Sequence, residues 1–328
     1  MPEAAAPASI ARPDGWQILK RNRAALIALG FLVGLSLIAV VVPVLLPAEL
    51  KVTSSASFIP PMQHAAETHA THLLGTDVNG QDMLYRLLSG ARVSLGVGLV
   101  GALISLGIGT LYGMISGYAG GRIDGVMMRT IEVLQSVPRI LFIMILIAAL
   151  DDYVKEWIDG WRLAAQARNW ADLAKTISDV KAYSKVLVMI VSLGLVEWLT
   201  MARIVRGQVL VLREMTFVTA SRAMGQSPWG VLRRHLLPNL STIILTYLTL
   251  TIPAVILDES FLSFLGLGIE DPAASWGSLL KDGAQVINPL ESKWWLLVFP
   301  ALLMAASLLA LNFLGDGLRD AFDPKSGE

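Results

Sequence analysis

Few residues in this chain have the type and spacing to do chemistry. Asp258 and Glu259 stand side by side, and a general acid–base pair needs two carboxylates near one reacting atom. Neighbours on a helix point about 100° apart, so these two diverge and a packing or gate role suits them better. His64, His69 and His72 come nearest to a metal-ligand set. Their irregular spacing in a stretch with no fixed frame favours a solvated loop over a metal site. Cysteine is absent, which removes thiol nucleophiles, disulfides and cysteine metal centres. No phosphate loop of the Gly-x-x-x-x-Gly-Lys-Ser/Thr kind occurs, nor a Gly-x-Ser-x-Gly elbow, nor His-Glu-x-x-His. The chain is therefore expected to be no enzyme and to bind no cofactor itself.

The elements that position these residues are apolar. Hydrophobic residues make up 54% of the 328 residues and charged ones 16%, too apolar for an ordinary soluble domain. No basic face suited to nucleic acid is present. The expected architecture is an all-α membrane protein with six transmembrane helices. Residues 1–23 read as an N-terminal tail, and 24–46 as a retained first span, too long for a signal-peptide core. Residues 47–92 form an outer loop with an amphipathic helix: Met83, Leu84, Leu87 and Leu88 share one face, with Asp82, Arg86 and Ser89 elsewhere. A core of five further spans occupies 93–314, followed by a tail at 315–328. Gly98, Gly101, Gly109 and Gly113 in the second span mark close helix packing. Pro138 is expected to kink the third span, and a polar insert at 151–185 follows it, with tryptophans suited to the bilayer surface.

Arg139 and Glu197 fall inside the third and fourth spans at similar depth. A charge at mid-membrane costs about 2.5–3.5 kcal/mol, so neither is expected to stand alone. Pairing with each other is the favoured expectation; lining an aqueous path and meeting charges on a solute is the alternative.

The polar interruption at 213–239 organises the rest. Phe217, Ala220, Ser221 and Met224 recur at helical spacing, and Gly225 suits the left-handed residue that ends a helix. Ser227-Pro228 reads as the cap and first position of a second short helix, which Leu237-Pro238-Asn239 is expected to stop. Small residues Ala220, Ser221 and Ala223 would let another surface approach closely.

With Thr219-Ala220-Ser221, Gly225, His235 and Leu237-Pro238, this stretch resembles the EAA loop of ABC-importer permeases. Thr219 replaces the usual Glu and Ser221 the usual Ala, while His235 is common in the peptide-transporting branch. Three further blocks resemble that branch. Gly75, Thr76, Asp77, Gly80, Asp82, Arg86, Gly90, Ala91, Arg92, Ser94 and Leu95 match its Gly-Thr-Asp to Ser-Leu block, with Gln81 and Tyr85 departing. Glu259, Ser263, Phe264, Leu265, Gly266, Leu267, Gly268, Pro272, Ser275, Trp276 and Gly277 match a signature after the fifth span. The tail NFLGDGLRDAFDPK and the N-terminal WQILKRNRAALIALG are similar to the branch's ends. Arg139 and Glu197, however, occupy places where the branch usually has small or uncharged residues.

The resemblance implies the permease subunit of a dipeptide or oligopeptide ABC importer, in the bacterial inner membrane. Its implied partners are a second permease subunit, two ATP-binding cassette subunits that hold ATP and Mg, an extracytoplasmic solute-binding protein and the lipid bilayer. Arginine and lysine crowd the segments that lie inside if both termini are cytoplasmic, which puts 213–239 in the cytoplasm. There Phe217 is expected as the buried anchor in the ATPase cleft, with Glu214 and Arg222 as rim charges, Thr219, Ala220, Ser221 and Gly225 in the docking helix, and Pro228 and Pro238 stiffening the joint. Glu259, Ser263, Phe264, Gly266, Gly268 and Trp276 are the gate or outer-mouth candidates. Nickel, glutathione or another small solute is the alternative cargo. A stand-alone secondary transporter is the rival of a different class, and the internal repeat common in that class is not found.

Overall fold

The computed structural model describes residues 15–47, 50, 57–64, 71–181, 183–288 and 291–322. The first part of the expected N-terminal tail, the end of the C-terminal tail and His69 lie outside them.

Short α1 (Gly15–Arg21) leads into α2 (Arg23–Leu45), whose first turn is capped by the Asn22 side chain accepting from Ala25 N at 3.1 Å. A two-residue hairpin, β1 (Gln63–His64) with β2 (Thr71–His72), precedes α3 (Met83–Ala119). Then come α4 (Gly121–Gln135), α5 (Arg139–Ala167), α6 (Ala171–Lys181) and α7 (Ser184–Leu212). Beyond α7 lie the short α8 (Thr216–Ala223) and α9 (Pro228–Val231), a π-helical turn (Leu232–Leu236), α10 (Leu237–Phe264), α11 (Trp276–Gln285) and α12 (Trp295–Phe322). Among the described residues five helices are long and apolar enough to cross a membrane, and the bent α4–α5 pair passes the same test together, which gives six if it counts as one span.

The centre is α3 packed along α7, and its glycines explain the fit. A β-carbon on Gly113 would come within 2.5 Å of the Ala202 carbonyl, and one on Gly109 within 2.6 Å of the Met201 side chain. Only bare backbone permits that approach, as the glycine spacing predicts. On the far side α10 meets the same helix through Val255 and Ile256 against Gly101 and Gly98.

Four boundaries differ from the sequence reading. The amphipathic helix and the second span are a single helix: Asp82 caps it by accepting from Tyr85 N at 3.0 Å, and it runs unbroken to Gly120. The hydrophobic pattern changes near residue 90, but no proline stands there, and Gly90 stays within the helix with its bare face against Ser275 and Leu279. At Pro138 the chain breaks outright. Its ψ of 126° is extended, so α4 and α5 meet at 90° rather than across a kink. The third span's helix does not end where the polar insert begins at 151: α5 continues to Ala167 and α6 folds back on it, tied by Lys181 Nζ to Asp159 at 2.6 Å. Trp157, Trp161 and Trp170 remain exposed on this hairpin. Finally, Leu237-Pro238-Asn239 does not stop a helix. Proline lacks the N–H that α-geometry would use, and the widened turn at 232–236 absorbs the misfit, so one helical rod runs from Pro228 to Phe264.

Candidate functional site

The polar corner joins α7 to α10. Arg213 ends α7, reaching back to the Gly117 carbonyl at 2.9 Å and pairing with Glu214 at 3.0 Å. At the end of α8, Gly225 takes φ +81°, a conformation costly for any residue with a β-carbon. Gln226 N then bonds to Ser221 O at 3.2 Å and Gly225 N to Arg222 O at 2.9 Å, the double closure of a Schellman cap. Ser227 caps α9 by accepting from Gly230 N at 3.2 Å, with Pro228 at the first helical position.

The corner is anchored from beneath. Val218, Val231, Leu232 and Leu236 are buried with Met114, Val205 and Val209 of α3 and α7. Ser221, expected on the docking face, is buried and donates to Gln226 Oε1, which also lies 3.0 Å from His235 Nε2. Arg222, expected as a rim charge, is exposed, stacks 4.5 Å over the Tyr118 ring and donates to its hydroxyl at 3.2 Å. Glu214, Phe217, Thr219, Ala220, Pro228 and Pro238 are exposed. The apolar surface is broader than Phe217 alone: Met224 and Trp229 are more exposed still, at 81% and 59%. Met224 sits seven residues after Phe217, two helical turns on, so the sequence carried that signal.

At the other end of α10 the outer-mouth candidates cluster. Glu259 is fully buried and accepts from the Ser94 and Ser263 hydroxyls at 3.0 and 2.7 Å. Those hydroxyls in turn accept from Trp276 N and Ile269 N, each at 3.1 Å. One carboxylate thereby fixes α3, the end of α10 and the start of α11 together. Gly266 at φ +80° closes α10 with a second Schellman cap, Leu267 N to Leu262 O at 2.9 Å and Gly266 N to Ser263 O at 3.0 Å. Gly268 lies against Ser263 with no room for a β-carbon, Trp276 is fully buried, and Phe264 is exposed. Asp258 and Glu259 do diverge, and Asp258 turns to a different partner.

That partner is Arg139. At the start of α5 its guanidinium contacts Glu197 of α7 and Asp258 of α10. The carboxylate from α10 is a member of this cluster that spacing along the chain did not reveal.

A second cluster escaped the sequence reading altogether. Arg86, placed there on the polar face of an amphipathic helix, is only 3% exposed. It meets Asp271 at 2.5 Å, Asp282 at 3.2 Å and Asp77 at 3.4 Å. Gln81 Oε1 accepts a further bond at 2.9 Å. Burial pushes the Asp77 and Asp282 carboxyls above their usual range, and the Arg86 charge offsets only part of that. Beside it His72 Nδ1 lies 2.9 Å from Asp82. Among the described residues no group of three His, Cys, Asp or Glu is placed to hold a metal ion.

Toward the corner, Arg206 grips Asp124 of α4 with two bonds at 2.9 and 2.5 Å, while Ser116 donates to the same carboxylate at 2.6 Å. This fixes the start of α4 to α3 and α7.

A family model described as binding-protein-dependent transport system inner membrane component matches residues 109–327. A second, the N-terminal TM domain of oligopeptide transport permease C, matches residues 13–61. The chain is 39% identical over 313 residues to the dipeptide transport system permease protein DppC of Bacillus subtilis (strain 168), covering 95% of this chain and 85% of that relative. It is 40% identical over 314 residues to the oligopeptide transport system permease protein OppC of Escherichia coli (strain K12), covering 94% and 91%. With OppC of Haemophilus influenzae the identity is 37% over 315 residues, covering 94% and 88%. The chain belongs to the family of binding-protein-dependent transport system inner membrane components, in the branch that holds the dipeptide and oligopeptide permeases.

Proposed function

We propose that this chain forms half of the pore of an ATP-driven importer for dipeptides or oligopeptides, with a second permease subunit as the other half. An extracytoplasmic solute-binding protein delivers cargo at the Glu259–Trp276 mouth. Two ATP-binding cassette subunits drive the cycle, and one of them receives the corner at 213–239 on the cytoplasmic side. ATP and Mg are held by those subunits, so hydrolysis takes place outside this chain. Both termini lie in the cytoplasm.

The observation that carries this reading is the corner itself. It exposes Phe217, Met224 and Trp229 above a base buried against α3 and α7, and it continues without a break into α10. A surface both apolar and rigid transmits displacement as a body rather than dissipating it in a hinge. Aromatic and methionine side chains also suit the desolvated centre of a small interface.

The test is capture of the ATPase subunits by a tagged copy of this chain in the assembled importer. Phe217→Asp and Met224→Asp change exposed side chains, and each is expected to cost about 2 kcal/mol, roughly 30-fold in affinity, while leaving the chain monodisperse. Gly225→Asp, strained at φ +81°, is expected to abolish capture. Undiminished capture by all three variants would overturn the docking role.

A further inference from the structure

The Arg139 cluster joins three helices, α5, α7 and α10, within their apolar lengths. One guanidinium is shared by two carboxylates, so the group formally carries one negative charge in excess. The Arg139 side chain is nevertheless 44% exposed, against 9% for Glu197 and 20% for Asp258. A guanidinium facing hydrocarbon there would cost about 2.5–3.5 kcal/mol, so this face looks onto water or protein rather than lipid. It opens on a cavity of about 370 Å³ whose charged lining is Arg139 and Glu197, with Gln135, Ser136 and Thr200 among apolar neighbours, and Asp258 adjoins it through its contact with Arg139. That volume holds on the order of ten waters and is far more than an ion pair needs for its own packing.

We infer that Glu197 and Asp258 form a binding site for a primary ammonium on the transported solute, with Arg139 as the resident cation that the incoming ammonium displaces. The excess negative charge selects a cation. The cavity accommodates the end of a chain. Arg139 begins its helix at the 90° break after α4, so its release from α7 and α10 frees the α4–α5 joint. The inference rests on the importer reading and names where in the pore a peptide's charged end is held. The same ammonium is offered by a peptide's α-amino end or by a lysine side chain.

The natural absence of cysteine permits a direct test. Thr200 lines the cavity and is exposed, so Thr200→Cys reports on it without entering the charge cluster. In the complete importer in proteoliposomes, labelling of this chain by a cationic methanethiosulfonate is expected to outpace an anionic one by about tenfold beyond their intrinsic reactivities. Glu197→Gln combined with Asp258→Asn is expected to remove that preference. Alanyl-alanine is expected to slow labelling, N-acetyl-alanyl-alanine is not, and N-acetyl-alanyl-lysine tells a side-chain ammonium from the α-amino group. Absence of labelling, no charge preference, or equal protection by the acetylated alanine dipeptide would overturn the site. The labelling uses a chain whose 213–239 corner is unaltered, so its failure leaves the ATPase-docking reading standing, and the two readings fail separately.

Discussion

Glu259 has no solvent exposure, yet both its oxygens are occupied by hydroxyl donors. A buried carboxylate of this kind organises its surroundings, because removing it orphans each donor at about 1–3 kcal/mol. Glu259→Leu is expected to lower the melting temperature of the purified protein sharply and Glu259→Gln much less, since the amide keeps an acceptor. Equal melting of the two variants would refute the hub. At the Arg86 cluster the sign of the pH effect follows from burial. Asp77 and Asp282 bind protons more readily in the folded chain than in the unfolded one. Their contribution to stability is therefore complete below the ordinary value of 3.8 and is lost as pH rises through the higher folded values. Asp77→Asn has no proton to release and is expected to flatten that part of the curve. Melting temperatures of wild type and variant across the acid range check it: a gap constant with pH would contradict it.

Among the elements, α3 depends most on what it lacks. Gly113→Leu would drive a side chain into the Ala202 carbonyl, and overpacking of this kind costs about 1–3 kcal/mol where the backbone shifts to absorb it. Thermal unfolding of the variant is expected to show that loss, with Gly96→Leu, which faces open space, as the matched control. The glycine stripe, the Ser227 cap and the left-handed Gly225 were legible in the sequence because each signal is local. The Arg86 cluster was not, because Asp271 and Asp282 arrive from residues far along the chain. The same holds for Asp258 beside Arg139: helical periodicity separates it from Glu259 but does not say which helix it faces. The unbroken course through Pro238 was hidden for another reason. Proline predicts the loss of a hydrogen bond, and whether the chain then stops or widens is decided by the packing of Leu232 and Leu236 beneath it.

For the whole molecule, the proposed orientation puts the corner and the α5–α6 hairpin on opposite sides of the membrane. With no native cysteine to interfere, and in vesicles stripped of the ATPase subunits, Met224→Cys is expected to react with an impermeant reagent only when they are inside-out, and Trp157→Cys only when they are right-side-out. Labelling of both from one side would invert or break the topology. The rod from Pro228 to Phe264 then acquires a wider meaning. At 37 residues it is about 55 Å long, and it carries the exposed Trp229 at one tip and the buried Glu259 close to the other. A tilt imposed at the inner tip must swing the outer one in the opposite sense about whatever fulcrum α3 supplies. Admitting cargo from outside and releasing it within would then be two phases of a single seesaw, requiring no messenger between the gates.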